Sequence, residues 1–362
     1  MSTIADLFNL VVPREKAHPN FLIVKEFGDH IGARFLMNHF FSEMGDPNGN
    51  FRKDFQTGGY YGRVFEIACY AALRAYGLEI DHSFEQPDFI VSDGSVRVAI
   101  EVATTNPVDR VATDVTARAL QMIPIDELAD KCQEDLPIRI GRLLNNKLQK
   151  QYWQLPQCKD LPFVLMVGPF HEAGSNFYVD DSVARYLYGI DVFPDWIARN
   201  GLWVRSAPIK EHHYDGKSWP SNFFSYPMAE HISAVMYCNA FTMSKFVRMS
   251  MIEGLAPPYL AAVRKGTGFF VDDADDVGMV EFDFDVGDPD VPCETWWEGS
   301  TIIMNPKARV PLPDDALPCS SILRLVNERI IRTVYGFHPL VSATHFGRRD
   351  GSTTVDSSDQ PE

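Results

Sequence analysis

The sequence predicts an α/β (α+β) protein, and three observations carry that prediction. Between residues 60 and 170 the elements read helix, strand, strand, strand, helix, strand. The strand segments alternate apolar and polar residues, while the helical ones repeat near 3.6 residues. The chain has 362 residues, 45% of them hydrophobic and 12% aromatic, enough for a large core. The expected layout is an N-terminal extension over 1–55 and the core over 56–180. A C-terminal α+β lobe over 181–342 packs on that core, and a polar, Gly/Ser/Asp-rich tail over 343–362 reads as disordered.

Each core element has a local reason. "YGRVFEIACYAALRAYG" (61–77) is built of helix formers and ends on Gly77, a C-cap residue. "LEIDHS" and "PDFIVS" read as short strands, with Pro87 at the start of the second, where a missing N–H is tolerated. "SDG" turns the chain into "SVRVAIEVAT", whose Val96, Val98, Ile100 and Val102 share one face. "IRIGRLLNNKLQKQYW" (138–153) is a basic amphipathic helix, and "LPFVLMVGPF" (161–170) is a buried strand. Further on, "EHISAVMYCNAFTMSKFVRMSMI" reads as strand or helix, and 320–334 as a helix.

Composition excludes several classes. The six cysteines are scattered without CxxC or Cys/His spacing, which argues against a disulfide framework or a structural zinc site. No secretory signal opens the chain and no apolar run approaches the ~20 residues that span a bilayer, so no membrane partner and a cytoplasmic setting are expected. A net charge of −16 speaks against non-specific coating of nucleic acid, though not against a local basic groove. The acid-rich stretch 272–298 lacks EF-hand spacing and reads as a solvated loop or edge. P-loop, GxGxxG, GxSxG and HExxH patterns are absent, and the His212–His213 pair has no helical metal spacing.

Two acids stand where acids are costly. Asp88 opens one apolar strand and Glu101 lies inside the next, on the face opposite Val98, Ile100 and Val102. Glu66 sits on the preceding helix at helical spacing with Gly62, Cys69, Tyr70 and Leu73. Three converging carboxylates repel one another unless a cation joins them. Hard oxygen ligands favour Mg2+ or Mn2+, which suits phosphodiester hydrolysis.

The "PD" start, the hairpin, the Glu on the third strand and the element order resemble the PD-(D/E)XK nuclease superfamily, over roughly residues 60–170. The resemblance implies a restriction-endonuclease-like αβββαβ core with a mixed central sheet flanked by helices. It implies that Asp88, Glu101 and Glu66 bind Mg2+ (or Mn2+). The implied partner is nucleic acid, DNA before RNA, with room for a homodimer, and the implied setting is bacterial defence or mobile-element biology.

The sequence departs from that pattern at one position. Where the family carries a lysine two residues after the glutamate, this chain has Ala103, then Thr104, Thr105 and Asn106. Some members draw the lysine from the following helix. Lys147 is the candidate here, because it lies beside the packed face of 138–153, whereas Lys150 lies further round. The expected catalytic set is therefore Asp88, Glu101 and Lys147. The alternative is an inactive fold of this type serving as a binding or assembly module. The aromatics of "KQYWQLP" are read as core rather than as base-stacking residues.

Overall fold

The computed structural model describes residues 6–46, 49–105, 125–172, 174–197, 201–271, 277–291 and 293–349. Four helices come first: α1 (Pro19–Glu26), α2 (Ile31–Met44), α3 (Phe51–Phe55) and α4 (Tyr60–Ala75). Strands β1 (Glu79–Asp81), β2 (Phe89–Ser92) and β3 (Arg97–Thr105) follow. Helix α5 (Ile125–Asp130) runs through a π-helical turn (Lys131–Asp135) into α6 (Leu136–Leu148), and then comes β4 (Phe163–Pro169). Among the described residues, the core order expected between residues 60 and 170 is the one observed, with α5 added.

The second half adds α7 (Asp180–Tyr188), the hairpins β5–β6 (Ile190–Ile197, Gly201–Pro208) and β7–β8 (Glu211–Tyr214, Lys217–Pro220), then β9 (Ala234–Cys238) and α8 (Met243–Ile252). Strands β10 (Leu260–Val271), β11 (Val277–Asp285), β12 (Ser300–Met304), β13 (Ser321–Val326), β14 (Arg329–Val334) and β15 (Phe337–Arg348) complete it. Strands β11, β10 and β15 form a three-stranded sheet of their own. The main sheet runs β1-β2-β3-β4-β9-β12-β13-β14, so four strands of the expected lobe extend the sheet of the first half. The sheet is mixed: β3–β4, β4–β9 and β12–β13 are parallel and the other pairings antiparallel.

The side-chain period of two sorts its faces. Even-numbered Val98, Ile100, Val164, Met166 and Met236 pack with α2, α4 and α8. Odd-numbered Ala99, Ala103, Leu165, Val167 and Val235 pack with α6 and α7. Glu101 has the second parity and points into the α6 layer.

Three expectations need correction. Residues 320–334 form the β13–β14 hairpin, not a helix. They are rich in β-branched residues, and Asn327 and Glu328 both take positive φ (51° and 61°), as a two-residue turn of matching twist requires. The 230–252 segment is both things in succession, strand β9 and helix α8. The tail boundary at 343 is too early, because β15 pairs with β10 as far as Arg348; residues 350–362 lie outside the described residues. No helix among the described residues is long and apolar enough to cross a membrane.

Candidate active site

The site forms where the sheet forks. Strand β2 begins its pairing at Phe89, opposite Ile100, and Ile90 faces Ala99. Among the described residues, β3 has no paired strand on that edge from Glu101 onward. The Val102 N–H points that way and donates to Asp88 Oδ2 at 2.7 Å. The acid that opens β2 thus caps the fork, one step beyond the last strand pair and on the Glu101 side.

Glu101 is 5% exposed. Its Oε1 accepts from Lys147 Nζ at 2.6 Å and from the Tyr152 hydroxyl at 2.7 Å, while its Oε2 is buried without a hydrogen-bond partner. A carboxylate oxygen stripped of water and given no donor is costly unless something cationic shares its space. Lys147 Nζ also lies 3.4 Å from the Val102 carbonyl, so it sits over the fork. Lys150, three residues on, is exposed. Ala103 explains how the lysine arrives. It is buried in the same cluster as Leu136, Ile140 and Leu144 of α6. A methyl there lets the helix close on the sheet, and Lys147, one turn past Leu144, projects beside Glu101.

Glu66 comes from α4, on the other face. Arg63 holds it at 2.6 Å and holds Asp54 at 2.9 Å. Burial pushes the Glu66 carboxyl up, Arg63 opposes this, and Glu101 adds to the rise. Burial also holds the Asp88 carboxyl well above the usual range, helped by Glu101 and then Glu66. The three acids and Lys147 therefore share one electrostatic neighbourhood. They do not form a closed cage. Among the described residues, Asp135, His171 and Glu172 are the one trio of potential ligands whose atoms all lie within 4.8 Å of one another. In the present state Lys147 and Arg63 occupy carboxylate oxygens of Glu101 and Glu66.

The residue that sequence reasoning missed is Tyr152. The aromatics after α6 are core, as expected: Tyr152 stacks on Phe163 at 5.6 Å and Trp153 on His231 at 4.5 Å. Yet the Tyr152 hydroxyl reaches Glu101, because Gln151 takes a left-handed φ of 52° and turns the chain back after α6. No motif marks that turn. Thr104 is half-buried near Gly62, Thr105 is buried and bonded to His171, and Asn106 lies outside the described residues.

Other constellations are structural. His212 bonds the Gln133 carbonyl and the Ser221 hydroxyl. Ser320, His338 and Asp180 line up at 2.8 and 3.2 Å like a hydrolase triad. However, Ser320 donates to the Ser300 carbonyl, Arg332 clamps Asp180 through two nitrogens, and all three residues are buried. No protein-family model matches the chain, and comparison with curated proteins and with solved structures gives no match either.

Proposed function

We propose that this chain is a divalent-metal-dependent phosphodiester hydrolase of the PD-(D/E)XK type, acting on DNA, with its lysine supplied by α6. One observation carries the reading: the Lys147 ammonium lies 2.6 Å from Glu101 Oε1 while Glu101 Oε2 is buried and unpartnered. A cation beside a carboxylate with one oxygen still to satisfy supports that reading, because it is the kind of charge a motif lysine would bring.

The residues fit Mg2+ or Mn2+. Such ions are held by one or two carboxylates with water and substrate phosphate filling the other positions, so Asp88 and Glu101 suffice and no closed cage is required. When bound, the ion lowers the pKa of a coordinated water and neutralises charge on the phosphoryl oxygens. The chain's residues do the rest. Asp88 is held in place by the Val102 N–H, and Tyr152 fixes the rotamer of Glu101. Lys147, beside Glu101, would orient the attacking water and meet the charge growing on the phosphate. Glu66 lends its carboxylate from the α4 side. The basic residues of α6, Arg139, Arg142 and Lys147, with Lys150 just past its end, supply local positive charge on an otherwise acidic protein. Six free cysteines suit a reducing, cytoplasmic compartment, and the resemblance suggests defence or mobile-element biology.

A second reading has its own observation. Lys147 is already paired with Glu101, which is how a retired active site would stabilise itself as a binding or assembly module. Purified protein with Mg2+ or Mn2+, tested on single- and double-stranded DNA and RNA, separates the two. The hydrolase reading expects cleavage that Asp88→Ala and Glu101→Ala each abolish. Cleavage surviving in both variants would discard the site, and no cleavage by the wild type under either metal would favour the module.

A further inference from the structure

The second cluster of ligating groups lies apart from the Asp88–Glu101 fork, beyond the C-terminal end of β3, where Thr105 meets His171. Asp135 closes the π-helical turn that leads into α6, and His171 and Glu172 follow β4 directly. His171 Nε2 stands 3.6 Å from Asp135 Oδ2 and 3.5 Å from Glu172 Oε1. Those spacings exceed hydrogen-bond reach, and Nε2 has no hydrogen-bond partner although the side chain is fully buried. Its other nitrogen is engaged with the Thr105 hydroxyl at 2.9 Å, and the ring stacks on Tyr178 with 5.3 Å between centroids. The imidazole is therefore locked with a bare nitrogen aimed between two carboxylates.

We propose that Asp135, His171 and Glu172 form a site for a zinc-class divalent cation. Metal–ligand bonds of about 2.0–2.1 Å arranged tetrahedrally place ligand atoms about 3.3–3.4 Å apart. The two spacings from Nε2 are within a few tenths of an ångström of that edge. One imidazole and two carboxylates are a donor set that zinc accepts, with its fourth position left to water. The supporting contacts suit ligands held in advance. Thr105 fixes the ring, Arg139 Nε holds Asp135 Oδ2 at 2.6 Å, and Tyr178 holds Glu172 Oε1. Glu172 also lines a cavity of about 400 Å³.

The strongest counter-argument is that cations already serve these acids, since Lys131 Nζ lies 2.7 Å from Glu172 Oε2. Lys131 is shared, however, with Glu127 at 3.3 Å. Asp135, Glu172 and Glu127 against Lys131 and Arg139 leave a formal charge of −1, and a dication brings it to +1. Lys131 can turn to Glu127 alone when the ion enters. A bound ion would pin the head of α6 to the end of β4, and α6 is the helix that carries Lys147.

The test is metal analysis of the full-length protein after Zn2+ loading and dialysis, with Co2+ titration followed in the visible spectrum. One tightly held Zn2+ per chain is expected in the wild type and in Glu101→Gln, which separates this site from the fork. His171→Gln should lose the ion and the absorption of four-coordinate cobalt. Thr105→Val, which leaves all three ligands in place, should weaken binding about 10–100-fold. Lys131→Met should bind at least as tightly as the wild type. A wild-type chain that retains no Zn2+, or a folded His171→Gln that binds as the wild type does, overturns the site. Should His171→Gln not fold, undiminished binding in Thr105→Val together with an octahedral cobalt spectrum in the wild type would overturn it equally.

Discussion

Replacing Lys147 by Met keeps an unbranched side chain, one heavy atom shorter, and removes the charge together with its hydrogen bonds to Glu101 and Val102. At 2.6 Å and an effective dielectric near 20, the attraction between Lys147 and Glu101 amounts to about 6 kcal/mol. Desolvating both ions offsets much of that, since Glu101 and Lys147 side chains are only 7% and 19% exposed. The variant, however, leaves Glu101 buried beside Asp88 and Glu66 with no cation of its own, so the loss should be about 3 kcal/mol in metal-free urea unfolding. Mg2+ reverses the sign of the argument. With its competitor for Glu101 gone, the ion should stabilise Lys147→Met more than it stabilises the wild type. Cleavage should nevertheless fall about 10²–10⁴-fold at saturating Mg2+, because the group that handles the water and the phosphate charge is missing. The combination of tighter metal and lost turnover is what a purely structural lysine does not produce. A variant that cleaves at the wild-type rate would refute the migrated-lysine reasoning, and one that gains nothing from Mg2+ would refute the shared site.

Three further outcomes follow from the same geometry. Tyr152→Phe removes one charge-assisted hydrogen bond to Glu101 Oε1, so stability should drop by about 1.5–3 kcal/mol, with kcat lowered and KM for DNA little changed; an unchanged kcat would leave Tyr152 as core packing alone. Asp88 has its folded pKa raised by burial and by its acidic neighbours, so the metal-free fold gains stability as pH falls through that raised range. Metal competes with the same proton, so Mg2+ affinity by calorimetry should fall as pH is lowered through that raised range in the wild type and stay flatter in Asp88→Asn. Glu294 lies buried between Lys245 (2.7 Å), Arg248 (2.7 and 2.8 Å) and Arg264 (3.5 Å), which hold its carboxyl well below the usual range. Glu294→Gln should cost about 3–5 kcal/mol at neutral pH. The depressed pKa makes that stabilisation complete above the unfolded carboxylate pKa of about 4.3, and the gap to the wild type should close as pH falls through the folded value; a gap that persists in strong acid would rule out the carboxylate as its source.

How much of this was legible beforehand depends on the range of the interactions involved. The core between residues 60 and 170 was readable because each element states its own period and stops on its own signal, as Gly77 and the "SDG" turn do. Residues 320–334 were misread because charged residues at 324, 328, 329 and 332 imitate a helical stripe. The decisive feature is local and small, the two positive-φ residues Asn327 and Glu328. The continuity of the sheet into β9 and β12–β14 was illegible for a different reason. Parallel and crossover pairings join residues far apart in sequence, and nothing within either strand names its neighbour.

The site shows the same division. Asp88 and Glu101 announce themselves as acids in apolar strands, and their apposition follows from a hairpin whose register the "SDG" turn sets. Lys147 could be chosen over Lys150 because helical periodicity places it beside the packed face. Tyr152 could not be chosen at all, since its role depends on a left-handed residue at 151 that folds the chain back under α6. The uncharged Ala103 is the most informative position of the set. A lysine there would have to share the space now filled by Ile140 and Leu144, which pack against Ala103 in one cluster. On the proposed reading, the small residue on the strand and the long cation on the helix are two halves of one substitution. Restoring Lys at 103 alone should therefore destabilise the α6 packing, and only the pair Ala103→Lys with Lys147→Met should return the charge to Glu101. Cleavage by that double variant above the level of Lys147→Met alone would show that the charge, and not the helix that delivers it, is what the site requires.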